Sequence, residues 1–285
     1  MRKIFKLVIW LFASLLLQGS IYFYLDRVLL APASSFQVGN APGENNTVTS
    51  GRAYYSPNRH YMAVVKTDRV EIYAMPDQKL VRTVDLKDKK VSYFKWLEDR
   101  DLALIGLQKN IPGYTYATLT QLLPREEGQE VSTTISKLPL GSKITGVAYS
   151  TATNVIYIQV NTVRNIYRIY RTDANHNLAR LRLNTDRIGR IATMLDRDCL
   201  IYDDLTNDTV NIREENGRWR VISPPGAKYR LVDVDRENNI YIARLNKQEL
   251  GESIYRGRLQ VGFTYEKNLQ APMDIREIKL NDIVG

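Results

Sequence analysis

The sequence predicts an all-β protein: a β-propeller of about five four-stranded blades that follows a single N-terminal transmembrane helix. Three observations lead to this prediction. Residues 7–25 carry no charged side chain. After residue 52, short apolar runs alternate with polar residues, and no long segment keeps a helical period. A unit made of a polar turn and an apolar strand also returns at a regular spacing along the rest of the chain.

The N-terminal segment has the length and the flanking charges of a membrane anchor. A helix over residues 7–25 would span about 28 Å, close to the ~30 Å hydrocarbon core of a bilayer. Arg2, Lys3 and Lys6 precede it, which places the N-terminus in the cytoplasm by the positive-inside rule. We therefore expect a cell-membrane protein with these parts: a cytoplasmic N-terminus (1–6), an uncleaved transmembrane helix (7–27), a flexible Ala-, Pro-, Ser-, Gly- and Asn-rich stalk (28–51) and an extracytoplasmic propeller (52–285).

A cleaved signal peptide is the alternative interpretation of this segment. Ala31-Pro32-Ala33 has the small-x-small pattern of a cleavage site. The apolar run is longer than a usual signal-peptide core, and the charged pair Asp26–Arg27 separates it from that site, so a retained anchor is favoured. Both interpretations export the rest of the chain. The single cysteine, Cys199, excludes an intramolecular disulfide, a Cys-ligated structural zinc and an acylated N-terminal cysteine.

The repeat is marked by apolar strands that follow polar turns. These strands start at Tyr61, Leu102, Val155, Cys199 and Ile240, so the unit returns every 41–53 residues. Such intervals fit one propeller blade each, whereas a β-sandwich, the alternative, gives no reason for a regular return. The clearest units divide into four strands each, predicted at 52–55, 61–66, 69–74 and 80–86; at 144–149, 155–160, 166–171 and 178–183; and at 229–234, 240–245, 254–259 and 274–280.

One stretch of the first unit allows a resemblance to be named. Residues 55–64, Tyr-Ser-Pro-Asn-Arg-His-Tyr-Met-Ala-Val, resemble the Ser-Pro-Asp-Gly-Lys-x-Ile-Ala repeat of the TolB-like (WD40-like) propellers. The match is good in the first blade only, and the Gly-His and Trp-Asp dipeptides of true WD40 repeats are absent from the sequence. The resemblance implies a propeller that binds proteins. It does not carry over the regulation of attached peptidases that related propellers perform.

No motif of a known catalytic type is present, so we predict no catalytic residue, no cofactor, no metal site and no enzymatic activity. His60 and His176 both fall in predicted turns. Propeller glycosidases need a pair of carboxylates, and Asp233 and Asp235 at the end of an inner strand leave that activity open as an alternative. Five aspartates within 13 residues could bind calcium: Asp196, Asp198, Asp203, Asp204 and Asp208. Their spacing does not match a calcium-binding loop and fits turns at two strand ends better.

Charge gives the main indication of a binding function. The chain has a formal net charge of +9. The propeller face that carries the connectors between blades is predicted to be more basic than acidic, and the opposite face is predicted to be acidic. Between residues 164 and 190 there are seven arginines and two aspartates. The best candidates for contacts with an anion or a partner are Arg164, Arg168, Arg171, Arg180 and Arg182.

We therefore expect a non-enzymatic, membrane-anchored propeller that faces outward and serves as a protein-interaction or scaffold module of the cell envelope. Its partner would be an envelope protein, and an acidic one would suit the basic sector. The alternative is a binder of anionic envelope polymer or lipid headgroups through the third-blade arginines. Nucleic acid fits the charge but not the compartment, so it is not expected as a ligand.

Overall fold

The structure is an all-β propeller of five four-stranded blades, as the sequence predicts. This computed structural model describes residues 18, 51–126, 128, 130–162 and 166–284. Each antiparallel sheet is formed by four consecutive strands, and all five sheets lie in the compact unit Gly51–Gly285. The predicted anchor and stalk, apart from residues 18 and 51, lie outside the described residues. In the part that the structure describes, no helix is long and apolar enough to cross a membrane.

The twenty strands run blade by blade from the innermost strand to the outermost. Blade 1 contains β1 (Arg52–Tyr55), β2 (Tyr61–Val65), β3 (Arg69–Ala74) and β4 (Lys79–Asp85). Blade 2 contains β5 (Lys90–Trp96), β6 (Ala103–Ile111), β7 (Tyr114–Leu122) and β8 (Val131–Leu138). Blade 3 contains β9 (Lys143–Ser150), β10 (Val155–Asn161), β11 (Tyr167–Thr172) and β12 (Ala179–Leu181). Blade 4 contains β13 (Ile188–Thr193), β14 (Cys199–Asp204), β15 (Thr209–Glu214) and β16 (Trp219–Val221). Blade 5 contains β17 (Tyr229–Val234), β18 (Ile240–Leu245), β19 (Gly251–Arg258) and β20 (Gly262–Met273).

The polar turns that define the repeat have a physical reason for their composition. The residues that turn the chain into β2, β10 and β18 adopt left-handed backbone conformations, with φ of 57° at Arg59, 54° at Asn154 and 62° at Asn238. Asparagine tolerates this region better than most residues. In the first blade Ser56 Oγ accepts a hydrogen bond from the backbone N–H of Tyr61 at 3.0 Å. The turn residues therefore fix where each second strand starts.

Apolar side chains fill the spaces between consecutive blades. On β14, Leu200 packs toward blade 3 and Ile201 toward blade 5, because successive side chains of a strand point to opposite faces of the sheet. The same alternation builds four inter-blade cores, represented by the pairs Ile72 and Ile105, Leu119 and Ile158, Tyr157 and Leu200, and Ile201 and Ile242.

The prediction of a strand at residues 274–280 is wrong. The fourth strand of blade 5 is β20, and residues 274–280 form turns that lead into the short helix α1 (Asn281–Val284). Ile278 and Ile283 of this C-terminal segment are buried against the face of blade 5 that points away from blade 4, where Tyr241 and Ile254 lie.

The inner strands share a second repeat that the sequence did not reveal. In β5, β9, β13 and β17 the pairing with the second strand shifts register near the start of the strand, as at a β-bulge. The same apolar position precedes each shift, occupied by Val91, Ile144, Ile188 and Leu231. The residue just before it is basic in all four blades: Lys90, Lys143, Arg187 and Arg230.

Inner strands start on one face of the disc and end on the other. We call the first the connector face, formed by the connectors between blades and the turns between second and third strands. The other is the hairpin face, formed by the remaining turns within blades. The connectors and turns therefore lie on the faces to which the sequence assigned them, whereas Glu266 and Lys267, predicted in a turn of the hairpin face, lie within β20.

Candidate functional site

Three of the predicted arginines come together. Arg168, Arg180 and Arg182 line one groove of about 840 Å³ at the outer edge of blade 3, where the chain passes into blade 4. Asp186 and Asn184 lie on the same groove. Among the residues that the structure describes, none forms an ion pair with these three arginines. Arg164 lies outside the described residues.

Arg171 has a different environment from the other predicted arginines. Its Nε and Nη2 atoms donate to Oδ2 of Asp198 at 2.9 and 2.6 Å, and the Asp198 side chain is almost fully buried. The hydroxyl of Tyr157 donates to the same carboxylate. The pair links blade 3 to the turn that precedes β14, so the structure assigns Arg171 to inter-blade packing.

The aspartates between residues 196 and 208 each have a separate local role. Asp204 accepts hydrogen bonds from Asn184 at 3.0 Å and from the side chain of Asn207 at 2.8 Å. Asp208 pairs with Lys228 at 2.9 Å and with Arg230 at 2.5 Å. Within the described ranges, no three acidic, histidine or cysteine side chains gather as a metal site would require.

Asp203 is buried between blades 4 and 5 on the wall of the central channel. Its carboxylate accepts the backbone N–H of Arg190 at 2.9 Å and that of Leu231. Burial raises the pKa of this carboxyl to about 7, and the two backbone donors oppose that shift. A Cβ atom at Gly189 would lie 2.6 Å from Asp203 Oδ2, so the close approach requires glycine there. These contacts join neighbouring blades.

The two candidate glycosidase residues line the hairpin-face end of the central channel. Asp233 and Asp235 border a cavity of about 210 Å³ together with Lys95 and Glu98. Burial raises the pKa of Asp233, the charge of Lys95 opposes this, and Glu98 adds to it. Asp235 instead closes its own turn, because its carboxylate accepts the backbone and side-chain N–H groups of Asn239 at 2.8 and 2.7 Å. The two carboxyl groups therefore do not form the free pair that glycoside hydrolysis uses.

The C-terminal segment covers part of the connector-face mouth of the same channel. Arg190, which lies in the register shift of β13, donates from Nη1 and Nη2 to the carbonyl of Ile278 at 3.1 Å and from Nη2 to that of Ile275 at 2.6 Å. It also donates to the carbonyl of Val232 on β17 at 3.0 Å. One partly buried guanidinium thus ties blade 4, blade 5 and the C-terminal segment together.

A second groove lies on the rim of the disc between blades 4 and 5. We call it the rim groove; its volume is about 280 Å³, and its lining includes Arg220, Ile222, Arg258, Leu259, Val261 and Phe263. Val261, at the tip of the β19–β20 hairpin, is 81% exposed. Beside the groove, β16 is a three-residue outermost strand whose residues are all exposed.

Both rim-groove arginines keep donor groups available. Arg220 Nε lies 3.8 Å from Glu214, and Arg258 Nη2 lies 3.5 Å from Glu237; about half of each arginine side chain is exposed. Surface ion pairs of this length contribute little to stability. Arg258 Nε is held by a hydrogen bond of 2.7 Å to Asn239 Oδ1, so its exposed Nη atoms are the groups left for a ligand. The groove therefore combines apolar walls with two half-exposed cations.

Comparisons with known proteins establish the fold and nothing finer. No family model matches the chain, and no curated protein matches it. Among solved structures, the dipeptidyl peptidase 4 of Porphyromonas gingivalis is similar with a TM-score of 0.53 and 9% identity over 76% of this chain and 38% of that one. Streptogramin B lyase gives a TM-score of 0.50 and 14% identity over 80% and 72%. TolB from Acinetobacter baumannii gives 0.48 and 12% over 78% and 54%. This chain spans less than two thirds of the length of the peptidase and of TolB.

The rim groove was missed by the sequence analysis. Its residues come from two blades, β16 and the β19–β20 hairpin, and no spacing along the chain links Ile222 to Val261. The one available signal is Val261 itself, a β-branched residue between Gln260 and Gly262 in a turn where polar residues are usual. An apolar side chain at such a position indicates a contact outside its own hairpin.

Proposed function

We propose that this chain is a non-enzymatic, membrane-anchored propeller of the cell envelope that faces outward and binds a protein partner in the rim groove. The observation that carries the proposal is a groove in which the exposed Val261 and the partly buried Ile222, Leu259 and Phe263 lie together with two half-exposed arginines. Apolar contact area together with arginine is the composition enriched at the centre of protein interfaces. The uncharged residues 7–25 and the basic residues before them support the anchor and the outward orientation.

The partner is an extended acidic segment of another envelope protein. Arg220 and Arg258 line the groove together with apolar side chains, so an apolar side chain flanked by carboxylates would satisfy both kinds of group. The outermost strand β16 leaves backbone groups free on its outer side, and an extended segment can pair with them. A folded partner would reach this groove only through such a projecting segment.

Site-specific photocrosslinking in intact cells tests the proposal. A photoreactive residue at Val261 should capture one partner, and the crosslinked peptide of that partner should be acidic. The same residue at Leu80, which is also exposed but lies on blade 1, serves as the matched control and should not capture it. Combining the probe with R220E and R258E should remove the crosslink. Equal capture at both positions, or capture that survives both charge reversals, would contradict the proposal.

The groove at the edge of blade 3 favours a second function, binding of an anionic envelope polymer. Arg168, Arg180 and Arg182 line it without ion-pair partners in the described part of the chain. Binding of a model polyanion such as heparin should then weaken steeply with salt, because Debye screening shortens the reach of these charges. R180Q combined with R182Q should abolish it, whereas R218Q combined with R59Q, on the hairpin face, should not. Absence of polyanion binding at low salt would exclude this function.

A further inference from the structure

We propose that the connector face binds the anionic headgroups of the membrane and so holds the propeller flat on the lipid surface. This inference rests on the membrane anchor in the proposed function, but it concerns a surface distinct from the rim groove and from the arginine groove of blade 3. It is carried by the distribution of cations, by their repeat from blade to blade and by the point at which the chain enters the propeller.

The connector face holds exposed or half-exposed cations that form no ion pair within the described ranges. They are Lys87, Lys89, Lys90, Lys143, Arg187, Lys247 and Lys279. Most acidic groups of this face are already neutralised by a neighbouring cation. Asp88 lies 2.6 Å from Lys109, and Asp274 lies 2.5 Å from Arg276. What remains exposed on the face is therefore predominantly positive.

Three of these cations occupy the same position in consecutive blades. Lys90, Lys143 and Arg187 each precede the register shift of an inner strand, so the fold places them at equivalent positions where three neighbouring inner strands begin on the connector face. In blade 5 the equivalent residue, Arg230, is buried and paired with Asp208. The blade repeat thus generates an arc of exposed charge over blades 2, 3 and 4.

The spread of the cations identifies the kind of ligand. They extend over the turns and connectors of several blades, from Lys87 before blade 2 to Lys247 in blade 5, and they do not converge on one cavity. A small anion would touch only one or two of them. A surface with many negative headgroups can engage all of them at once, and each basic residue near such a surface adds to the attraction.

The chain enters the propeller on this same face. Arg52, the first residue of β1, pairs with Val65, which directly precedes the turn into β3. The first strand of the propeller therefore begins on its cationic face. The hairpin face carries exposed acids such as Asp77, Glu98 and Glu215, which an anionic bilayer would repel.

The test measures which lysines a lipid surface protects. The full chain is reconstituted in vesicles of phosphatidylcholine, alone or mixed with phosphatidylglycerol, and labelled with a membrane-impermeant amine reagent. Lys90, Lys143 and Lys247 should react about fivefold more slowly in the anionic vesicles at low salt, and the protection should disappear at high salt. Lys79, exposed on the hairpin face, should react equally in both. Equal reactivity of Lys90 and Lys143 in the two vesicle types would overturn the inference.

Matched variants test whether the arc of cations over blades 2, 3 and 4 is responsible. The triple variant K90Q, K143Q and R187Q should lose the protection of Lys87 and Lys247, whereas R59Q, K79Q and R218Q, which removes the same charge from the hairpin face, should keep it. Retained protection in the first variant would overturn the inference. Alkaline extraction tests the anchor separately. If alkali releases the chain, the anchor proposal fails. The inference about the connector face then holds only if the released chain co-sediments with the anionic vesicles and not with vesicles of phosphatidylcholine.

Discussion

Arg171 and its neighbours in blade 3 show how similar side chains take different roles. Arg171 is locked to the buried carboxylate of Asp198, whereas Arg180 and Arg182 project into an open groove. We expect R171Q to lower the free energy of unfolding by about 2–3 kcal/mol, because it leaves a buried carboxylate without its cation. R180Q and R182Q should each stay within about 0.5 kcal/mol of the parent.

Urea unfolding of the three variants measures this difference. A loss of stability in R182Q as large as that in R171Q would show that the groove arginine also stabilises the fold. An unchanged R171Q would show that the Arg171–Asp198 pair contributes nothing to inter-blade packing.

Glu71 makes stability depend on pH. The carboxylate is buried on β3, which alone would raise its pKa, but hydrogen bonds from Lys66, Tyr73 and Arg69 lower the pKa to about 2. Since the folded-state pKa is depressed, the stabilisation is present above the unfolded-state pKa of about 4.3 and is lost as pH falls toward 2. We expect E71Q to cost about 2–3 kcal/mol at pH 7 and progressively less below pH 4.

Unfolding curves at neutral and acidic pH, compared with those of the parent, measure the Glu71 effect. E215Q, which neutralises an exposed carboxylate on the hairpin face, is the matched control and should cost little at either pH. A cost of E71Q that does not change with pH would contradict the assignment of this carboxylate as the titrating group.

The C-terminal segment is the element whose role differs most from its predicted one. Ile278 lies outside every strand, yet it is 2% exposed and packs on the face of blade 5. We expect I278A to lower the free energy of unfolding by about 2–4 kcal/mol, as for other buried isoleucines. Hydrogen exchange should then accelerate in β17–β19, which the segment covers. V261A, at a side chain that is 81% exposed, should cost less than about 0.5 kcal/mol. If I278A unfolds with the same free energy as the parent, the packing of this segment contributes nothing to the stability of blade 5.

Most strands could be predicted from the sequence because local chemistry determines them. Left-handed turn residues such as Asn154 and Asn238 start the second strands, and alternating apolar residues pair the blades. The error at residues 274–280 arose because Ile275, Ile278 and Leu280 are apolar among charges, which imitates a strand. Such a segment covers the sheet when another strand already occupies the fourth position of the blade. Here that strand is β20, which is long and mostly exposed, so its weak apolar alternation does not identify it in the sequence.

The candidate sites could be predicted only where their residues lie close together along the sequence. The arginines of blade 3 are close along the chain, and three of them do share a groove. The rim groove and the arc of cations over blades 2, 3 and 4 combine residues from different blades. Their proximity depends on the stacking of sheets and on a register shift repeated in four inner strands. No single segment contains that information.

At the scale of the whole molecule, the disc presents three different surfaces. The connector face is cationic, the hairpin face carries exposed acids, and the rim between blades 4 and 5 holds the apolar groove. On a membrane-anchored propeller whose connector face lies on lipid, the rim groove would remain free for a partner. The membrane anchor, the binding of lipid by the connector face and the binding of a partner in the rim groove are therefore compatible in one orientation of the disc.

Labelling of intact cells with a membrane-impermeant maleimide tests the central claim, an outward-facing propeller with a free rim groove, most directly. The only native cysteine, Cys199, is buried, and burial raises its thiol pKa to about 11, so it contributes little background. We expect the full chain with V261C to be labelled without lysis and to remain with the membrane fraction. Labelling of V261C only after the cells are broken would contradict the claim, because the propeller would then lie on the inner side of the membrane.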